Sequence, residues 1–527
     1  MTLLSTPAPR VRETTHGLVR GVQERGVLAW RGMPYAAPPT GTFRFQAPHP
    51  PTAWRGVRDA AHFGPAAPQD RGQFVGIDAR SPQSEDCLTL NVLAPEGSRA
   101  GDRLPVLVFV HGGAYSVGSS REFPRQGETL VREGGIVYVS INYRLGAFGY
   151  LDFSHWSTPE VPLESNLGLR DQVAALEWVR DNIDAFGGDP DAVTLSGESS
   201  GGNAVTTLMA VPRASGLFHR AIAQSAPTNA IYPPDVTQRW AAEYLELLSH
   251  QVDDGDVEST SDDAVADLLM RAPVRAHVRA TAQLQLRTPD EQPGTISLSP
   301  VIDGSFLPER PLDAFKAGRA HPVPLIIGTN DREGSVFTGR RDILATTKPR
   351  IRAIFAKTEK KSRKAIKKQY PGLPDRPAAL DFGGDYAFWY PTVKVAERHA
   401  RFQPVFFYRF DAAPRIVRVA GVDAFHGLEL WALYDRMGSA FGWTMSVLGG
   451  RRVFLRTADR MRARWLAFVR TGVPDVPPTS DGARGAAEWP PYDPFRRRTL
   501  IIDTRDRVEH DPRGERRRAW QAFVPHV

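Results

Sequence analysis

The sequence predicts an α/β fold: one large, mostly parallel sheet with helices packed on both faces. Three observations predict it. Short apolar runs alternate with longer segments of helical character along most of the 527 residues. The runs are apolar at nearly every position rather than at every second one, as strands covered on both faces must be. One run, ending at Leu195, passes through Gly197-Glu198-Ser199-Ser200-Gly201 into the helix-competent segment that begins at Asn203, so that strand, sharp turn and helix follow in direct succession.

The elements follow in order. Strands are expected at 104–110 (Leu-Pro-Val-Leu-Val-Phe-Val) and 136–141 (Ile-Val-Tyr-Val-Ser-Ile), both dominated by residues that suit a pleated, buried surface. A helix is expected over 166–184, then strands at 192–195 and 221–224. Residues 235–293 break the alternation with helical segments around the acidic run 253–256, and are read as an insertion over the sheet rather than part of it. Strands at 324–327, 405–410 and 500–502 and helices over 388–401 and 454–470 resume the pattern. No internal repeat or long low-complexity linker divides the chain, which is therefore expected to be one elaborated domain over 1–527.

Composition narrows the function classes. At 41% hydrophobic residues the chain can bury a large core. Its 66 basic and 59 acidic residues are interspersed, so the net charge of +7 reads as a solvated surface. The densest basic run, 357–368, carries no interleaved aromatics for base stacking, and no nucleic-acid partner is expected. No segment approaches a membrane span, and residues 1–7 lack the charged start and apolar stretch of a signal peptide. Cys87 is the single cysteine, which allows no intramolecular disulfide and is expected to be a small buried apolar residue. A cytoplasmic location is the expectation.

The turn at Ser199 points to nucleophilic chemistry. Glycines on both sides clear the space in which a serine hydroxyl can stand at the head of a sheet. Such a hydroxyl needs a neutral imidazole to take its proton and an acid to orient that imidazole. In the chain order serine, acid, histidine, Asp331 and Glu333 both follow the strand at 324–327. Beyond them lie His399, His426, His510 and His526. His399 falls in a helical stretch and the last two in the charged C-terminal region, whereas His426 sits in a loop before Gly427, so His426 is the candidate base. The strand at 104–110 runs into His111-Gly112-Gly113-Ala114-Tyr115, a turn suited to presenting backbone N–H groups to an oxyanion. Gly113, Ala114 and Ser200 are the candidate donors. Neither a His-Glu-x-x-His pair nor a cysteine cluster is present to bind a metal, and no cofactor is expected.

Many ordered motifs extend this reading across almost the whole chain. They include Arg31-Gly32-Met33-Pro34-Tyr35-Ala36 with Arg44-Phe45, Ser84 to Asn91, His111 to Ala114, Asn142-Tyr143-Arg144, Asn166 to Gln172 and Phe186 to Pro190. Downstream come Pro300 to Gly304, Gly328 to Gly334, His426-Gly427-Leu428-Glu429 and Trp489-Pro490-Pro491-Tyr492. With these motifs the chain resembles the type-B carboxylesterase and lipase family. The resemblance implies an α/β-hydrolase fold and a cofactor-independent serine carboxylesterase acting on small-molecule esters through a covalent acyl-enzyme. It implies Ser199 as nucleophile, Glu333 rather than Asp331 as acid and His426 as base, with Glu198, Ser225 and Glu429 supporting them. It also implies structural ion pairs between Arg44 and Glu85 and between Arg144 and Asp171. The substrate pocket is expected to involve Tyr115, Tyr232, Val336 and Phe337, and to be roomy because 294–299 lacks aromatics.

Three departures from the family pattern matter. No cysteine in 64–69 is available to pair with Cys87. The 67–87 loop has no tryptophan, so the cation–π platform for a quaternary ammonium is missing and a choline ester is not the expected substrate. Ser200 replaces the usual alanine, and because its expected role uses the backbone N–H, the chemistry is expected to survive. Amide or carbamate hydrolysis by the same triad is the rival within catalysis, separable by turnover on matched esters and anilides. A non-catalytic adhesion or scaffold relative is the rival outside it. With an unperturbed His426, activity is expected to rise near pH 6.5.

Overall fold

The computed structural model describes residues 10–71, 81–121, 127–252, 261–339, 342–475 and 487–524. Residues 1–7, the acidic run 253–256 and His526 lie outside them. In chain order the strands are β1 (Val11–Thr14), β2 (Gly17–Arg20), β3 (Val22–Glu24), β4 (Val27–Pro34), β5 (Val57–Asp59), β6 (Thr89–Pro95) and β7 (Leu104–Val110). They continue as β8 (Val137–Ile141), β9 (Gly188–Glu198), β10 (Arg220–Gln224), β11 (Leu325–Asn330), β12 (Val405–Phe410), β13 (Arg498–Ile502) and β14 (Arg507–His510).

β1, β2 and β5 form a small separate sheet. The other strands form one sheet in the order β14-β13-β12-β11-β10-β9-β7-β8-β6-β4-β3. Its centre, from β13 to β8, is parallel throughout, and antiparallel pairings are confined to the two edges. β7 shows why these sequences are apolar at every position. Val106, Val108 and Val110 enter the core on one face, and Leu107 and Phe109 enter the core on the other. The first core is closed by helices Leu167–Asn182, Ser200–Leu208 and Tyr390–His399, among others, and the second by Arg451–Thr471 and the shorter Leu428–Leu433.

Strand order reverses at β7. The chain goes from β7 to β8 on one side, then returns to β9 on the other and proceeds outward to β13. Connections leaving β7 and β9 therefore diverge, and a crevice opens beyond their carboxyl ends, where α/β sheets hold ligands. Val110 leads into the His111 loop and Glu198 into Ser199, so two of the candidate motifs meet at this reversal.

The expected strands are all present: β7 and β12 have the expected bounds, β8 and β11 begin one residue later, β9, β10 and β13 begin earlier, and β9 and β11 run on past their expected ends. β1, β2, β3, β5 and β14 were not legible as strands, because they are short, carry charges and pair at or near sheet edges; β4 and β6, eight and seven residues long and largely buried, were not among the expected strands either. The helix expected over 388–401 is continuous with a π-helical turn at Asp385–Trp389, whose extra residue shifts the register that a 3.6-residue period assumes. Between β10 and β11, outside the sheet, lie helices Pro234–Ser249, Asp262–Arg271 and Val274–Glu291.

Two ion pairs fasten this frame. Arg44 meets Glu85 bidentately at 2.7 and 2.8 Å, and its remaining nitrogen donates to the carbonyls of Met270 and Ala272, capping the end of helix Asp262–Arg271. Arg144 grips Asp171 at 2.8 and 2.7 Å, with side chains 3% and 0% exposed. Removing one partner of so buried a pair leaves an uncompensated charge, which costs about 3–5 kcal/mol. Asp171→Asn is therefore expected to lower the melting temperature sharply or to abolish soluble expression. Asp191→Asn, which loses only the surface pair with Arg103, leaves the melting temperature unchanged; thermal denaturation of both variants checks the contrast.

Candidate active site

The turn at Ser199 is made possible by what its neighbours lack. Ser199 takes φ 58° and ψ −125°, a conformation that L-residues avoid, between the end of β9 and helix Ser200–Leu208. Its N–H donates to the Gln224 carbonyl at 2.9 Å, and its own carbonyl accepts from Asn203 N–H at 2.9 Å. Three backbones crowd here. A Cβ on Gly197 would lie 2.4 Å from the Gly201 carbonyl oxygen, and one on Gly201 only 2.2 Å from that of Val110. Ser199 remains half-exposed at the head of the sheet while Ser200 is buried.

The loop after β7 is bent just as sharply. Gly113, Ala114 and Tyr115 have φ of 112°, 54° and 56°, three consecutive residues in left-handed space. Hydrogen bonds over-determine the loop: Gly113 carbonyl accepts from Ser116 and Val117 N–H, and Gln69 exchanges two bonds with Gly118. His111 stacks on Tyr143 at 4.4 Å and donates through Nδ1 to the Gly112 carbonyl at 2.8 Å. Burial pushes its pKa down to about 4, so it is a neutral structural side chain at pH 7.

Beyond β11, Glu333 opens a short turn and lies 3% exposed. Its Oε1 accepts from Asn330 N–H at 2.6 Å and from the Ser225 hydroxyl at 2.7 Å. Its Oε2 accepts from His426 Nδ1 at 2.6 Å. On the far edge of the ring, His426 Nε2 is buried without a hydrogen-bond partner, 3.3 Å from Glu198 Oε1. Glu198 in turn sits against the oxyanion loop and the elbow: a Cβ on Gly112 would lie 2.9 Å from Glu198 Oε2 and 3.1 Å from Ser199 Cβ. Behind the acid, Glu429 accepts from the Asn330 side-chain amide and lies 3.3 Å from the Ser225 oxygen, whose one proton is directed to the nearer Glu333. Asp331, the other acid after this strand, points elsewhere and pairs with Arg513 at 2.7 Å and Arg409 at 3.5 Å. Glu333 follows β11 and holds His426, which comes from the loop beyond helix Arg415–Val419, and Glu198 links that ring to the Ser199 elbow, with Ser225 and Glu429 behind the acid.

The chain as a whole is similar to known proteins. The model of the carboxylesterase family matches residues 8–520. The chain belongs to the carboxylesterase family. The para-nitrobenzyl esterase of Bacillus subtilis (strain 168) is 34% identical over 96% of this chain and 97% of its own. A phenmedipham hydrolase of Pseudarthrobacter oxydans is 31% identical over 88% of this chain and 90% of its own. A solved PNB esterase structure superposes with a TM-score of 0.81 at 33% identity, covering 97% of this chain and 99% of that one. The carboxylesterase Est55 of Geobacillus stearothermophilus gives 0.81 at 32% identity over 97% of this chain and all of that one. The fold is that of the α/β-hydrolases, and the reaction class of this carboxylesterase is carboxylic-ester hydrolysis by a serine enzyme.

In this carboxylesterase the expected pocket residues divide. Val336 and Phe337 follow the acid and join Leu344, Ala387 and Phe388 in a small apolar cluster separate from the two cores. Phe337 lies 5.3 Å and Phe388 4.5 Å from the His426 ring, so the two aromatics flank the base. Phe388 was not legible from the sequence: it comes from the π-helical turn and carries no motif. Tyr232 is half-buried and accepts from Ile296 N–H at 3.0 Å, fixing the 294–301 segment. Tyr115 corrects the expectation. It is 2% exposed, stacked on Tyr150 at 3.9 Å and bonded to Asn203 at 2.6 Å, because its left-handed backbone turns the ring under the loop into the core. Cys87 is fully buried, and burial raises its thiol far above the usual range. Among the described residues no helix is long and apolar enough to cross a membrane.

Electrostatics also revise the expected pH dependence. Burial alone would lower the His426 pKa, but Glu198, Glu333 and Glu429 outweigh it and raise the value to about 9. Burial and the charge of Glu333 raise Glu429 to about 7. A raised imidazole pKa keeps the proton on the base as pH increases, so the acid limb of the kcat profile is expected above 6.5 and toward 9. Glu198→Gln removes one attracting charge and is expected to move that limb downward; pH–rate profiles of both proteins, with a limb at or below 6.5 in the parent, would refute the electrostatic account.

Proposed function

We propose that Ser199, His426 and Glu333 form the catalytic triad and that the N–H groups of Gly113, Ala114 and Ser200 form the oxyanion hole. One observation carries this reading: the Glu333–His426 bond holds the ring through Nδ1 and turns the buried Nε2 toward Glu198, 3.3 Å away and the residue directly before the strained Ser199. Ser199 Oγ attacks the ester carbonyl as its proton passes to Nε2. The imidazolium so formed lies among three carboxylates, which favour it. Collapse of the tetrahedral intermediate breaks the ester C–O bond, and Nε2 returns the proton to the leaving alcohol. Water then attacks the acyl-enzyme by the same path, releasing the acid and restoring Ser199.

The apolar cluster of Val336, Phe337, Leu344 and Phe388 beside the base supports an ester with apolar parts. The relatives point the same way: one is a para-nitrobenzyl esterase and another the medium-chain fatty acyl-CoA hydrolase precursor of Anas platyrhynchos, 32% identical to this chain. The lone cysteine suits the reducing conditions of a cytoplasm, which fractionation of the native cells would test.

A fluorophosphonate probe is expected to label Ser199 alone, with labelling lost in Ser199→Ala and retained in Ser200→Ala. Peptide mapping of the adduct to Ser200 would overturn the assignment. Glu333→Gln should lower kcat by orders of magnitude with the fold intact, since the ring loses its orienting charge. Asp331→Asn should weaken its pairs with Arg513 and Arg409 and cost stability rather than rate; kcat and melting temperature measured on both variants distinguish the two acids.

A further inference from the structure

The residue after the nucleophile is a serine in this chain, and its hydroxyl is used. Ser200 is 2% exposed at the first position of helix Ser200–Leu208, so it presents no surface for solvent or an alternative attack. Its Oγ accepts a hydrogen bond from the N–H of Tyr115 at 3.3 Å. Tyr115 is the third of the consecutive left-handed residues after β7, and it directly follows Ala114. The position of Tyr115 N defines the ψ of Ala114, so this bond bears on how the Ala114 peptide unit is turned. A non-glycine residue in left-handed space costs on the order of 1 kcal/mol and persists only where contacts hold it.

The two sources of oxyanion donors belong to different strands. Gly113 and Ala114 follow β7, and the Ser200 N–H follows β9. Other contacts also hold the β7 loop: Tyr115 Oη donates to Asn203, three residues beyond Ser200 on the same helix, and Gln69 bonds Gly118. Between residues 113–115 and residue 200 itself, the bond from Tyr115 N–H is the one hydrogen bond seen among the described residues.

We propose that the Ser200 hydroxyl is a positioning group for the oxyanion hole: by accepting from Tyr115 N–H it ties the backbone of the loop after β7 directly to the residue that supplies the third donor. An alanine would keep the backbone donor and lose the tie. The hole is used only when negative charge develops on the substrate oxygen, so misplacing its donors lowers kcat and spares ground-state binding. This inference rests on the oxyanion-hole assignment proposed above.

The test compares Ser200→Ala and Ser200→Thr with the parent enzyme, using a para-nitrophenyl ester and a trifluoromethyl ketone, whose adduct with Ser199 places an alkoxide in the hole. Ser200→Ala is expected to lose roughly five- to ten-fold in kcat and in ketone affinity, with KM unchanged. Ser200→Thr, which keeps the hydroxyl, is expected to recover most of both. A merely structural role would lower the melting temperature while leaving kcat and ketone affinity of the folded enzyme as they were, and that result overturns the proposal. Equal losses in the alanine and threonine variants also overturn it. Absence of ester turnover and of ketone binding in the parent would instead defeat the triad and oxyanion-hole reading itself, so the two failures are distinguishable.

Discussion

The close approach of three backbones at the end of β9 is the constraint on which the rest depends. The chain must stop being a strand at Glu198 and start being a helix at Ser200, with a single residue between them. It does so wedged between β7 and β10, whose backbones lie too near for any Cβ on Gly201 or Gly202. That crowding holds Ser199 in a conformation it would not choose, and the hydrogen bonds from Ser199 N–H to Gln224 and from Asn203 N–H to Ser199 hold it from both sides. Strain at one residue is thus sustained by packing across neighbouring strands. The loop after β7 repeats the arrangement on the adjacent strand, its three left-handed residues held through Tyr115 by Asn203 and Ser200 and its far end held by Gln69 on Gly118.

Charge is organised with the same economy. Four ionisable side chains, Glu198, Glu333, His426 and Glu429, lie within a largely apolar region, and burying them separately would be prohibitive. They are tolerable together because Ser225, Asn330 and the ring of His426 bond the carboxylates of Glu333 and Glu429, and because an imidazolium balances part of the charge. The consequence for chemistry is double-edged. Carboxylates that stabilise the imidazolium formed during attack also stabilise it at rest, which raises the pH at which the base is free. Phe337 and Phe388 pack beside the ring and limit the water that would screen these interactions.

Much of the architecture was legible because it rests on local signals. Short runs apolar at nearly every position suit central strands of a covered sheet, and β7, β9, β10, β11 and β12 were each read from such a run. Glycines in the elbow announced close backbone contact, and Gly427 marked a loop at His426. Where the signal was weak the reading stopped short. Edge strands such as β14, Arg-Val-Glu-His, bury only part of their side chains and carry no pattern distinct from a loop. The π-helical turn that places Phe388 depends on one extra residue, which leaves no trace in periodicity.

The sequence by itself determined the fold class, the serine turn, the order of candidate acid and base, and the family to which those motifs are similar, because each is written in contiguous residues whose spacing has a direct steric meaning. Only the tertiary structure decided which side chains meet. It turned Asp331 toward Arg513 and Glu333 toward His426 although the two acids are two residues apart, since the chain after β11 bends and sends them in different directions. It drew Tyr115 into the core, gathered three carboxylates around one imidazole, and set the Ser200 hydroxyl against Tyr115 N–H. Such outcomes depend on distances between segments far apart in the chain, and a pKa or a hydrogen bond across them has no value until folding fixes those distances.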